Sequence, residues 1–132
     1  MILGVGVDLV EIGRVRALHA RYGRRFLERV YLPEEIAYLE TLTDPAPALA
    51  ARFAAKEAFV KAYPGKAWIT EVGVARDPLP RLVFRHRLAD EVARQRIRPW
   101  VSLSHERGFA VAVVVLELTS PAQAPKSSES SP

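Results

Sequence analysis

The sequence contains no cysteine among its 132 residues and only one methionine. A disulfide framework and any site built on a thiolate are therefore excluded. Long apolar runs are also absent, because the longest, Phe109 to Leu116, is far too short to cross a bilayer. The first residues lack the layout of a signal peptide, since Asp8 and Glu11 interrupt the apolar stretch and no cationic segment precedes it. We therefore expect a soluble, cytoplasmic protein.

Lysine is also scarce, because 15 of the 19 basic residues are arginine. The net charge is +4 and the sequence pI is about 9.8. Arginine favours planar, bidentate contacts with phosphate and carboxylate groups. The composition thus indicates an acidic ligand or partner, with nucleic acid as one candidate. A solvated basic surface without any partner is the other interpretation.

The hydrophobic periodicity predicts an α+β fold in which helices pack on a largely antiparallel sheet. Helices are predicted over residues 11–22, 24–30, 33–42, 48–63 and 86–96, and strands over 1–10, 71–75, 81–85, 99–105 and 109–118. The last two strands form a predicted hairpin. Residues 120–132 contain no apolar residue larger than alanine. We predict one domain over residues 1–119 followed by a disordered tail over 120–132.

Two carboxylates interrupt apolar segments. Asp8 lies in the first predicted strand and shares a face with Gly4 and Gly6, while Glu57 lies beside the apolar stripe of the fourth helix. An unpaired charge in such a place is costly. Asp8 capping the following helix and Glu57 pairing with Lys61 are the structural interpretations. A shared Mg²⁺, which takes one or two carboxylates together with waters and phosphate oxygens, explains both acids at once.

Two further groups of residues have functional and structural interpretations. Arg52 and Lys56 lie one turn apart on an adjacent flank of the fourth helix, where a solvated basic face is the structural interpretation. In the fourth predicted strand, Ser102 and Ser104 face one side and His105 faces the other. No nucleophile elbow surrounds either serine. Contacts to phosphate or amide groups fit these hydroxyls better than nucleophilic catalysis does, and an ordinary hairpin edge is the alternative.

Arginines are concentrated around the first helix, close in sequence to Asp8. Such a cationic patch beside a phosphate site would suit an acidic protein partner. Its members are Arg14, Arg16, Arg21, Arg24, Arg25 and Arg29.

Three segments carry a resemblance to a known family. They are Gly-Val-Gly-Val-Asp-Leu-Val-Glu at 4–11 with Arg14, Arg-Phe-Ala-Ala-Lys-Glu-Ala-Phe-Val-Lys-Ala at 52–62, and Ser-Leu-Ser-His-Glu at 102–106. In sequence, order and separation they resemble the holo-acyl-carrier-protein synthases, the small bacterial class of 4′-phosphopantetheinyl transferases. The similarity spans roughly residues 1–118. The resemblance implies the 4′-phosphopantetheinyl transferase-like fold. It also implies the transfer of the 4′-phosphopantetheine arm of coenzyme A to a serine of apo-acyl carrier protein, with release of adenosine 3′,5′-bisphosphate.

The resemblance also implies a cofactor and an assembly. It implies Mg²⁺ and a homotrimer with the site at the subunit interface. Asp8 and Glu57 match the metal-binding acids, and Lys61 matches a lysine assigned to catalysis. Either Glu57 or a metal-bound water is expected to take the proton of the serine.

Further positions match the expected substrate contacts. Arg52 and His105 match positions expected near the 3′-phosphate of coenzyme A, and we assign Lys56 and Ser104 to the same cofactor site. The surface that docks the acidic carrier protein is assigned to Arg14, Arg21 and Arg24.

The sequence departs from the family at one place. The glycine-rich stretch that usually follows the central helix is shortened to Tyr63–Trp68, so the contacts of that loop with the pantetheine arm are open. The alternatives are a basic nucleic-acid-binding module, a magnesium phosphohydrolase using the same acids and a non-catalytic binder of carrier proteins or nucleotides. We expect neither nucleic acid nor a membrane as partner.

Overall fold

The computed structural model describes residues 1–119 and confirms the predicted α+β class. The predicted disordered tail, residues 120–132, lies outside the described residues. In chain order the elements are β1 (Ile2–Glu11), α1 (Ile12–Tyr22), α2 (Arg24–Val30), α3 (Pro33–Leu39), α4 (Ala46–Ala62), a 3₁₀ turn (Ile69–Glu71), β2 (Val72–Ala75), β3 (Arg81–Phe84), α5 (His86–Arg94), β4 (Ile97–Glu106) and β5 (Phe109–Leu118). Within residues 1–119, no helix is long and apolar enough to cross a membrane.

Helix α4 is the central element, and it is buried on most of its circumference. Its alanines allow close packing because they present little side-chain bulk. The helix begins two residues earlier than predicted, at Ala46, because Pro47 lies in the first turn. A proline there is tolerated, since the first turn leaves its backbone N–H groups without helical partners. The N–H of Ala46 donates instead to Asp44 Oδ1 at 3.4 Å.

Three strands form the main sheet, in the order β1-β5-β4, and every pair is antiparallel. The predicted β4–β5 hairpin is confirmed. Asp8 pairs with Ala112 of β5, which pairs in turn with Leu103 of β4. Strands β2 and β3 form a separate antiparallel pair. The register fixes which side chains share a face with Asp8, because successive side chains alternate between the two faces.

Two glycines bring β1 against α4. A Cβ atom at Gly4 would overlap the carbonyl oxygen of Ala62, and one at Gly6 would overlap that of Ala58. The two glycines therefore allow the backbone of α4 to approach β1 closely. This contact places Asp8, on the same face as both glycines, beside the C-terminal half of α4.

The opposite face of the main sheet is apolar and exposed. In β1, Val7 and Leu9 are 54% and 63% exposed. By register, the row formed by Val7 continues through Val113 to Ser102. Other large exposed apolar side chains on this sheet are Ile2, Val5, Trp100 and Phe109.

Candidate active site

Asp8 and Glu57 line the same cavity. It has a volume of about 300 Å³ and is bounded by β1, α1 and α4. Arg14 and Phe53 also line it. Residues far apart in sequence thus meet because the glycine contacts dock β1 on α4. The sequence-based prediction that the two acids lie together agrees with this arrangement.

Asp8 is held by Lys61. Its side chain is 18% exposed, and Lys61 Nζ lies 3.0 Å from Asp8 Oδ1 and 3.1 Å from the carbonyl oxygen of Val7. Helix capping by Asp8 is wrong, because α1 has Glu11 as its N-cap residue and no side chain bonds to that end. The alternative pairing of Glu57 with Lys61 is also wrong, since the ammonium binds Asp8 instead.

Glu57 is partly exposed, and its side chain forms no hydrogen bond or ion pair with any other residue in 1–119. That range contains no group of three or more His, Asp or Glu side chains able to hold a metal. Mg²⁺ needs no such group, because it is commonly bound by one or two carboxylates, waters and substrate phosphates. The donor set of Asp8 and Glu57 therefore fits the metal that the resemblance implies.

A second charged cluster lies on another flank of α4. Lys56 is completely buried, and its Nζ lies 2.6 Å from Glu35 Oε1 and 2.5 Å from the carbonyl oxygen of Val72. Glu35 also accepts the N–H groups of Leu32 and Val74, each at 2.9 Å. Burial lowers the pKa of Lys56, and the charge of Glu35 opposes that shift. This cluster ties α3 and β2 to α4.

The buried cluster corrects two interpretations of the sequence. Lys56 is not on a solvated face, and it does not line the cavity of Asp8. Its burial argues against the cofactor contact predicted for it. Glu35 was missed, because a glutamate in the first turn after Pro33 is explained by the helix dipole alone. The available signal was Lys56 itself. An alanine-rich helix of this kind is expected to be buried, so a lysine within it requires a buried acid as its partner.

Arg52 belongs to the same buried region and is only 5% exposed. Its Nε lies 3.8 Å from Glu35 Oε2 without a hydrogen bond, and its guanidinium stacks on the ring of Tyr38 at 5.1 Å. Arg76 stacks on the same ring at 4.6 Å. Burial lowers the pKa of Arg52, with Glu35 opposing the shift. The predicted solvated face is wrong here too.

Ser104 and His105 are exposed and lie on opposite faces of β4. Through Val111, Ser104 shares a row with Leu9 on the exposed apolar face, away from Asp8. The register places His105 on the same face as Asp8, but with β5 between their strands. A single chain therefore does not bring Ser104 to the cavity.

The three predicted docking arginines differ in their surroundings. Arg14 lines the cavity of Asp8, and Arg21 lies over the ring of Tyr22 at 5.3 Å. Neither forms an ion pair within residues 1–119. Arg24 binds Glu40 at 2.6 Å and Glu28 at 3.0 Å, and the hydrogen bond to Glu40 raises its pKa.

The shortened loop after α4 borders a second cleft, of about 690 Å³. Tyr63 and the exposed Trp68 line it together with Arg87 of α5. Arg87 anchors the loop by donating to the carbonyl oxygen of Lys66 at 3.2 Å and to Glu71 Oε1 at 3.1 Å. The loop is thus fixed to α5.

Residues 4–114 match the 4′-phosphopantetheinyl transferase superfamily, and this range contains both acids and Lys61. The chain belongs to this superfamily. A holo-[acyl-carrier-protein] synthase of Thermus thermophilus is 47% identical over 118 residues, covering 89% of this chain and 94% of the relative. One from Deinococcus deserti is 42% identical over 129 residues, with 89% and 98% coverage.

Solved structures agree with this membership. The holo-[acyl-carrier-protein] synthase from Neisseria meningitidis has a TM-score of 0.79 and 34% identity, covering 89% of this chain and 99% of that one. The enzyme from Bacillus anthracis, solved in complex with CoA (3′,5′-ADP), has a TM-score of 0.75 and 29% identity, with 90% and 99% coverage. The superfamily match confirms the resemblance stated from the sequence.

Proposed function

We propose that this chain transfers the 4′-phosphopantetheine arm of coenzyme A to a serine of apo-acyl carrier protein, releasing adenosine 3′,5′-bisphosphate. One observation carries the proposal. Two of the three matched segments contribute Asp8, Glu57 and Lys61. In the fold, the two acids line one cavity and the lysine forms an ion pair with Asp8. The names of the relatives agree with that activity.

Asp8 and Glu57 are proposed to hold Mg²⁺, which would act as a Lewis acid toward the phosphate and offset charge developing on the leaving group. The serine oxygen forms a bond to the phosphorus of the arm as the bond from that phosphorus to the bridging oxygen breaks. Glu57 takes the serine proton, directly or through a water, because its oxygens have no other protein partner among the described residues. Lys61 stabilises negative charge on the departing phosphate.

We propose that substrate contacts extend beyond the carboxylates. Arg52 keeps an unused donor, Nε, for an anion such as the 3′-phosphate, although it must first leave its buried position. His105 and Ser104 are assigned to the same ligand. Because Ser104 lies on the face away from Asp8, its contact requires a second copy of the chain.

The homotrimer is part of the proposal, with the exposed apolar face of the main sheet as its interface. Covering this face removes apolar surface from water, which favours association. Val7→Asp should convert the assembly to monomers in sedimentation experiments. Leu79→Asp is the matched control, since Leu79 is 72% exposed outside that sheet. A trimeric Val7→Asp variant would contradict this interface.

An acidic carrier protein is the proposed partner, and Arg14 and Arg21 are its proposed contacts because neither has an ion-pair partner within residues 1–119. Opposite charge on the two surfaces would accelerate their encounter. Arg24 contributes only if its bonds to Glu28 and Glu40 open. We propose the cytoplasm as the location, where coenzyme A and carrier protein meet.

The deciding experiment incubates the chain with coenzyme A, Mg²⁺ and apo-acyl carrier protein and follows the intact mass of the carrier protein. The expected gain is about 340 Da from the formula of the arm, and it disappears when a chelator removes the metal. An unchanged carrier protein would contradict the transferase. Cleavage of coenzyme A without carrier protein would instead indicate a phosphohydrolase.

A further inference from the structure

Lys61 occupies the position of a cation at Asp8. Its Nζ lies 3.0 Å from Asp8 Oδ1, and the Lys61 side chain is 55% exposed whereas that of Asp8 is 18% exposed. Within residues 1–119, the only other hydrogen bond of the Lys61 ammonium is to the carbonyl oxygen of Val7, at 3.1 Å. An ammonium this exposed can move into water at small cost, because pairs between exposed groups contribute little stability.

The two acids differ in this respect. Asp8 has a counter-ion, but Glu57 has no partner within residues 1–119 although it lines the same cavity. A divalent cation that binds both carboxylates must therefore compete with one ammonium, and it meets that ammonium at Asp8. We infer that Lys61 is an exchangeable counter-ion that holds Asp8 in the metal-free enzyme and leaves it when a divalent cation binds. This inference rests on the proposed function only in taking Asp8 and Glu57 as the cation site.

The exchange would couple the metal to coenzyme A. A diphosphate beside the cavity offers Lys61 another anionic partner, and its departure from Asp8 removes the competitor of the metal. Coenzyme A should therefore tighten metal binding, and by linkage the metal should tighten coenzyme A binding by the same factor. Direct contacts between metal and phosphate add to this coupling, but they do not depend on Lys61.

Binding of Mn²⁺ alone, measured by electron paramagnetic resonance of the unbound ion, tests the inference without any turnover. Lys61→Gln removes the competing ammonium and should lower the Kd for Mn²⁺ by about threefold, the size expected for an exposed ion pair. Lys66→Gln is the matched control, because it removes the same charge from the loop after α4 without touching Asp8, and it should leave the Kd unchanged. Adding coenzyme A should improve Mn²⁺ binding less in Lys61→Gln than in the unmodified chain.

Three results would overturn the inference. They are an unchanged or weaker affinity in Lys61→Gln, an equal gain in Lys66→Gln, and no Mn²⁺ binding in any variant. A weaker affinity in Lys61→Gln would mean that the lysine positions Asp8 for the metal. The mass of the carrier protein reports separately on the transferase, which can be correct even if Mn²⁺ affinity does not respond to Lys61.

Discussion

Helix α4 carries two lysine–carboxylate pairs whose surroundings differ completely. Lys56 and Glu35 are both fully buried with 2.6 Å between charged atoms, whereas Lys61 and Asp8 lie 3.0 Å apart beside a cavity and the lysine is largely exposed. Glu35 accepts hydrogen bonds from two backbone N–H groups in addition to Lys56, so both of its carboxylate oxygens have partners. Asp8 has only Lys61 as a side-chain partner among residues 1–119.

The difference separates a structural pair from the pair that we propose to be reactive. A buried pair is costly to form and very costly to break on one side, so it persists. A pair at a cavity can exchange its partners at low cost, which is what a metal or phosphate site requires. Sequence motifs cannot separate the two, because Lys56 and Lys61 lie in one short stretch of the same helix.

The largest expected effect is on the rate of transfer at the exposed pair. Asp8→Asn and Glu57→Gln each remove a charged oxygen from the cavity with almost no change in shape. Turnover should fall by at least about a hundredfold, as when other preorganised electrostatic groups are removed. Intact-mass kinetics with coenzyme A and apo-acyl carrier protein measure this. Asp44→Asn is the control, since Asp44 pairs with Arg16 on the surface and should keep normal turnover. Near-normal turnover in Asp8→Asn would contradict the proposed difference in role between the buried and the exposed pair.

The second effect concerns stability, to which the buried lysine should contribute much more than the exposed one. Lys56→Met removes the cation that lies 2.6 Å from the buried Glu35 carboxylate and leaves only Arg52, at 3.8 Å, so it should cost about 3–5 kcal/mol in the free energy of unfolding. Lys61→Met is the matched substitution at the exposed pair and should cost less than about 1 kcal/mol. Urea unfolding followed by circular dichroism measures both.

A double variant guards against the case in which Lys56→Met does not fold. Glu35→Gln combined with Lys56→Met removes both charges, so part of the lost stability should return. Equal losses in Lys56→Met and Lys61→Met would mean that burial does not separate the two pairs.

Much of this organisation could be predicted from the sequence. The alternation of β1 and the apolar stripe of α4 indicated that Asp8 and Glu57 interrupt apolar segments. A single shared cation was the reason to expect the two acids close together. Glu35 could not be found this way, because its carboxylate reaches Lys56 across 21 positions and only tertiary packing brings them together. Lys56 was misplaced for the same reason, since helical spacing gives its flank but not what covers that flank.

Element ends were predicted less well than element types. The predicted fourth helix begins at residue 48, but Pro47 stands in the first turn of α4, where its missing N–H has no cost. Helix α5 ends at Arg94, and Arg96 adopts a positive φ of 57° before β4. No glycine marks that reversal in the sequence, so the prediction continued the helix to Arg96.

A third effect tests whether close packing of β1 on α4 positions the exposed pair. Gly6→Ala places a methyl group against the carbonyl oxygen of Ala58, so β1 must move away from the helix. We expect a loss of about 1–3 kcal/mol, typical of overpacking, together with slower transfer because Asp8 moves with its strand. Gly13→Ala is the control, since no heavy atom lies within 4 Å of the added Cβ. Thermal unfolding and the mass assay check both variants, and normal stability and transfer rate in Gly6→Ala would contradict the proposed positioning.

The smallest effect measures what a partly buried carboxylate contributes to stability when it has partners. Glu91 accepts the hydroxyl of Tyr63 at 2.6 Å and pairs with Arg87 at 2.6 Å, and the bond from Tyr63, followed by that from Arg87, lowers its pKa below the usual 4.5. A lowered pKa stabilises the fold above the unfolded value and loses that contribution as the pH falls through the folded value. Stability should therefore decrease below about pH 4.5 less steeply in Glu91→Gln than in the unmodified chain. Asp90→Asn removes the same charge from α5 at a side chain without a partner within residues 1–119, and should keep the normal slope. Equal slopes for Glu91→Gln and the unmodified chain would mean that these bonds are too weak to affect folding, which would make the contrast with the fully buried pair of Lys56 and Glu35 sharper still.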